Sequence, residues 1–162
     1  MGDESLRALA ERVLARCRAR HWRLALAESC TGGMVAAALT DIAGSSDVVE
    51  RGFVTYADAA KIEMLGVPAE TIARHGAVSA ETAAAMAEGA LAHAPVDRAV
   101  AVTGIAGPGG GSHDKPVGLV WFAVAHLGAP AATERQVFAG DRAAIRAAAA
   151  RRALELLAAA AS

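Results

Sequence analysis

The sequence predicts a single-domain α/β/α sandwich: a mixed central sheet with helices on both faces. Three observations lead there. Helix-period segments alternate with short β-branched or aromatic runs through most of the chain. Strand-type runs cluster late, so the sheet is not all parallel. A glycine-rich tract at 104–111 follows a strand, where ligand loops lie in open α/β sheets. At 162 residues, the chain is expected to form one domain over 1–162.

The elements follow in order. Residues 5–20 carry Leu6, Leu9, Val13 and Leu14 at helical spacing, with charges opposite. Residues 23–28 (RLALAE) read as a strand running into the turn Ser29-Cys30-Thr31-Gly32-Gly33. A helix is expected over 31–42, with Met34, Val35, Leu39 and Ile42 on one face and Ala43-Gly44 as its stop. Residues 48–56 (VVERGFVTY) are a β-branched and aromatic strand. A short helix over 58–65 ends at Gly66, and Pro68 opens another reaching Arg74. Ser79 caps a helix running to His93. Strands are expected at 98–103, 117–126 and 133–138. A last Ala-rich helix spans 141–161, capped by Asp141.

Composition narrows the function. Hydrophobic residues make up 54% and charged residues 20%, which supplies a core and argues against disorder. Sixteen basic against seventeen acidic side chains leave no excess of cations for a nucleic-acid polymer. No apolar run reaches the roughly 20 residues of a membrane span, and with Asp3, Glu4, Arg7, Glu11 and Arg12 interrupting any apolar stretch near the N-terminus no signal peptide is expected. Cys17 and Cys30 are too few for a disulfide framework, and a cytoplasmic protein is expected. His21, His75, His93, His113 and His126 show no metal-ligand spacing, so neither metal nor cofactor is expected. Among 44 Ala and 14 Arg only two lysines remain, Lys61 and Lys115. A lysine retained where arginine is the default marks a place where an amine can lose its proton.

Three constellations can carry chemistry. In AESCTGG (27–33), a serine at a strand-to-helix turn exposes its hydroxyl beside unpaired backbone N–H groups, which suit an oxyanion. Taken alone, Ser29 or Thr31 serves equally as a helix cap, and Cys30 without a neighbouring histidine is inert. In GFVTYADAAK (52–61), a partly buried Lys61 can act as a base toward a serine, with Tyr56 as a proton relay. The competing reading is a surface lysine paired with Asp58. In 102–118, Thr103, Gly104, Ile105, Ala106 and Gly107 open a loop whose backbone can cradle a phosphate or carboxylate. No Gly-Lys-Ser/Thr closes a Walker loop, and no G-x-S-x-G elbow is present.

Together, AESCTGG (27–33), AGSS (43–46), GFVTY (52–56) with Ala60-Lys61, GAVS (76–79), TGIAGPGGG (103–111) and KPVG (115–118) resemble the CinA C-terminal-domain family, the nicotinamide-nucleotide amidases. The resemblance covers about residues 5–160 and suits the free-standing form. It implies hydrolysis of the carboxamide of nicotinamide mononucleotide by a serine and a lysine, which map onto Ser29 and Lys61 with Tyr56 nearby. Cys30, Thr31, Gly32 and Gly33 would then hold the oxyanion. The 103–107 loop, with Lys115 or Arg142, would hold ribose and phosphate. A small-molecule nucleotide is the expected partner, with a homo-oligomer, a dimer first, as the expected assembly. A pyridine-nucleotide-binding domain without turnover is the alternative. Arg51 and Ala57-Asp58 depart from the usual pattern and affect the substrate side.

Overall fold

The computed structural model describes residues 3–162. The elements, in order, are α1 (Leu6–Ala19), β1 (Leu24–Glu28), α2 (Met34–Thr40), β2 (Val49–Val54), α3 (Asp58–Leu65), α4 (Ala69–His75), α5 (Ala80–His93), β3 (Arg98–Gly104), β4 (Leu119–His126), β5 (Ala132–Val137) and α6 (Arg142–Ala160). Ser5, Ser79 and Asp141 cap α1, α5 and α6 through side-chain oxygens.

The five strands form one mixed sheet in the order β2-β1-β3-β4-β5. β1 runs parallel to β2 and β3, whereas β3–β4 and β4–β5 are antiparallel. From β1 the chain crosses to one neighbour through α2 and later returns to the other. β1 is therefore a topological switch point, where a crevice opens beyond the strand ends.

Strict alternation along the central strands gives the two faces different depths. Leu24, Leu26, Val100, Val102, Val120 and Phe122 point into a core with α1, α2 and α6. Ala25, Ala27, Ala99, Ala101, Ala123 and Ala125 point the other way, toward α5, Leu65 and Val67. A face made of alanines lets α5 lie close on the sheet. Gly89 repeats the device on α5: a Cβ there would sit 2.0 Å from the carbonyl oxygen of Leu65. The end of α3 therefore presses on the α5 backbone.

Several boundaries differ from expectation. The helix expected over 31–42 is confined to Met34–Thr40, because Gly32 (φ +59°) and Gly33 (φ +107°) hold left-handed backbone before it. The strand expected over 48–56 stops at Val54, freeing Thr55 and Tyr56 for the crevice. The strand expected from Val117 begins at Leu119. Among the described residues, no helix is long and apolar enough to cross a membrane.

Candidate active site

Three parallel strand ends meet at the switch point. β1 ends at Glu28 and delivers Ser29, whose N–H donates to the carbonyl of Val102 at 2.9 Å. β2 leads to Thr55 and Tyr56, and β3 to Thr103 and Gly104. A cavity of about 200 Å³ opens between them, bordered by Ser29, Lys61, Tyr56, Thr103 and Arg142, with Cys30, Asp58, Ala77, Val78, Gly104 and Ala106 completing the wall.

Lys61 comes from the first turn of α3 and is only 1% exposed. Its Nζ lies 3.0 Å from Ser29 Oγ, 2.8 Å from the Thr55 carbonyl and 3.2 Å from the Tyr56 carbonyl. A protonated amine fills all three positions as donor. A neutral amine donates to the two carbonyls and turns its lone pair to Ser29 O–H. Burial pushes the Lys61 amine below the ordinary lysine range, and the Asp58 carboxylate and Cys30 oppose that shift. A buried lysine whose remaining contacts are neutral oxygens is suited to act as a base. Asp58 forms no ion pair with Lys61, so the surface-pair reading does not hold.

The turn after Ser29 is built by a residue the sequence reading passed over. Glu28 is 1% exposed and accepts four hydrogen bonds: from Thr31 Oγ1 (2.7 Å), Gly33 N–H (3.2 Å), Val35 N–H (2.9 Å) and Ala36 N–H (3.0 Å). The donors at the start of α2 are thus already taken, and the expectation that they all face an oxyanion is corrected. Gly32 N–H donates to the Ser29 carbonyl and Met34 N–H to the Thr31 carbonyl. The N–H groups of Cys30 and Thr31 have no protein acceptor among the described residues.

Residues 6–161 match the CinA C-terminal domain. The chain belongs to that family. It is 53% identical over 146 residues to the "Nicotinamide-nucleotide amidohydrolase PncC" of Escherichia coli (strain K12), covering 90% of this chain and 88% of that one. A "CinA-like protein" of Akkermansia muciniphila is 50% identical over 91% of this chain but only 36% of its own length. The crystal structure of the competence/damage inducible protein CihA from Agrobacterium tumefaciens superposes with a TM-score of 0.92 and 48% identity, covering 98% of each chain.

Within this CinA domain, not every expected residue borders the cavity. Ser29, Cys30, Tyr56, Lys61, Thr103, Gly104, Ala106 and Arg142 do. Thr31, Gly32, Gly33, Ile105, Gly107 and Lys115 do not. Lys115 Nζ donates to the His75 carbonyl at 2.5 Å, tying the glycine-rich loop to the α4–α5 connection. Thr103 Oγ1 donates to Ala77, on the same connection. Tyr56 is 60% exposed, and its hydroxyl accepts from Arg142 at 2.8 Å. Tyr56 meets Lys61 through its carbonyl, so a phenolic proton relay has no hydrogen bond to follow. Arg142 also donates to the Gly107 carbonyl at 2.8 Å. Cys30 is buried, which raises its thiol to about 11 and leaves it a poor nucleophile.

Proposed function

We propose that this protein hydrolyses the carboxamide of nicotinamide mononucleotide, giving nicotinic acid mononucleotide and ammonia through a Ser29 acyl-enzyme. The observation that carries this reading is the buried 3.0 Å contact between Ser29 Oγ and Lys61 Nζ at the cavity wall. The activity printed for the Escherichia coli relative supports the substrate.

Neutral Lys61 takes the Ser29 proton as Oγ attacks the amide carbon. The negative oxygen of the tetrahedral adduct is held by the free N–H of Cys30, the neighbour of Ser29 at the cavity wall, an effect of about 2.7–4 kcal/mol. Lys61 passes its proton to the leaving nitrogen, the C–N bond breaks and ammonia departs. Water then attacks the ester, its proton going to Lys61 and on to Ser29, and the carboxylate is released. The Thr55 and Tyr56 carbonyls keep the amine aimed at Ser29 throughout. Lys61 and Arg142 are the cations bordering the cavity, and Arg142 is the one free of the serine and suited to the 5′-phosphate. Remote phosphate binding orients the amide, so the unphosphorylated riboside should be a poor substrate.

Ammonia release from nicotinamide mononucleotide, with Ser29→Ala as control, tests the reading. Turnover by the parent and none by the variant is expected. Calorimetric binding of the nucleotide without ammonia release would reassign the site to nucleotide binding alone.

A further inference from the structure

We infer that the Asp58 carboxylate selects a cationic, N-substituted pyridinium ring over a neutral ring of the same shape at the Ser29 cavity; the inference rests on the substrate reading above and names the residue that distinguishes that substrate. Asp58 opens α3, and Lys61 follows three residues later on the same face of the helix. Both border the cavity. Lys61 is buried beside Ser29, whereas Asp58 is exposed at the wall and open to a ligand.

The charges around the cavity are few. Asp58 is the one carboxylate bordering it, facing Lys61 and Arg142 as the basic groups. Both basic groups are engaged: Lys61 by Ser29 and two carbonyls, Arg142 by the Gly107 carbonyl and the Tyr56 hydroxyl. Among the described residues, the Asp58 carboxylate accepts no hydrogen bond, forms no ion pair and does not cap α3. Its negative charge is left for a ligand.

A nicotinamide nucleotide carries a fixed positive charge on the ring nitrogen, meta to the carboxamide. With the carboxamide carbon on Ser29 Oγ, that charge stands one ring's width from the serine. A cation brought there loses water and meets Lys61 and Arg142, both unfavourable. Asp58 supplies the opposite sign at the same wall. Its field reaches the serine end of the cavity, because the same carboxylate acts on the Lys61 amine. With the phosphate on Arg142 and the ring beside Asp58, the wall matches both charges of the zwitterion. A neutral ring draws nothing from the carboxylate. The competing role, an acid favoured by the dipole at the start of α3, would not distinguish one ligand from another.

Calorimetry on the Ser29→Ala protein, which binds without turnover, tests the inference with two ligands. One is nicotinamide mononucleotide; the other is benzamide riboside 5′-phosphate, nearly isosteric but with a neutral ring. Adding Asp58→Asn should weaken the cationic ligand about fivefold relative to the neutral one, the strength of a good solvent-accessible ion pair. An unchanged ratio of the two dissociation constants overturns the inference, and equal weakening of both ligands is that outcome, since it marks a structural role. Should Asp58→Asn fail to fold, Asp58→Ser decides by the same ratio. Ammonia release by the parent judges the amidase reading separately. Cation-selective binding that depends on Asp58, without ammonia release, would sink the hydrolysis and leave Asp58 in its role. A protein that binds neither ligand overturns both.

Discussion

Lys61 Nζ stands 3.0 Å from Ser29 Oγ, across 32 positions of sequence, in a place where the lysine side chain is 1% exposed. Only a lysine that can shed its proton serves there. Lys61→Arg keeps a charge and a donor but supplies no accessible neutral base. It should lower kcat by about a thousandfold or more. Steady-state ammonia release, with circular dichroism to show an intact fold, checks this, and retention of a tenth of the activity would remove Lys61 as base.

The pH dependence follows from the same amine. Burial lowers its pKa from the ordinary 10.5, so kcat/KM should rise with pH along a limb whose midpoint lies below that value. The Asp58 carboxylate works in the opposite direction, favouring the charged amine. Asp58→Asn should therefore shift the rising limb to lower pH. A limb that stays in place, or moves upward, would contradict this coupling.

Glu28→Gln is nearly isosteric, yet it removes the charge that accepts four hydrogen bonds and introduces an NH₂ facing donors. Bonds to a charged group are worth about 1.5–3 kcal/mol each, and a residual set survives. A net loss of about 3 kcal/mol is expected. At this chain length that corresponds to a fall of roughly 6–12 °C in Tm, measurable by differential scanning calorimetry.

Gly89→Ala probes the seat of Lys61 from the other end of α3. The added methyl would stand 2.0 Å from the Leu65 carbonyl, which is backbone and cannot turn aside. Overpacking of this kind costs about 1–3 kcal/mol. Because α3 must shift away from α5, kcat should fall together with Tm. An unchanged kcat in a destabilised protein would mean that Lys61 is held by its two carbonyls alone.

Cys30 sits beside the nucleophile but is raised to about 11 by burial, as is Cys17. Iodoacetamide at pH 8 should modify neither thiol in the native protein and both after unfolding. Mass spectrometry reads this directly. Rapid native alkylation of Cys30 would mean the turn opens far more readily than its hydrogen bonding suggests.

Periodicity, together with cap and turn residues, located the five strands and six α-helices, because alternation at two and at 3.6 residues is a property of local chain geometry, whereas the short 3₁₀ helix Ser45–Asp47 carried no such signal. Its errors fell at element ends. The start of α2 was misplaced since the turn of glycines and the Glu28 carboxylate, not a Ser29 or Thr31 cap, terminates the helix. Glu28 carries no local signal for a related reason: a carboxylate ending a strand is an ordinary surface residue until a fold buries it.

Local pattern thus determined the fold class, the mixed sheet and the candidate serine and lysine, together with the family motifs spread over them. Only the folded chain decided which donors remain free. It also decided that Lys115 braces a loop, that Tyr56 offers the lysine a carbonyl, and that Arg146 grips the Ser29 turn. Those outcomes depend on distances between residues far apart in sequence, set by how two unequal sheet faces pack, and no local pattern encodes them.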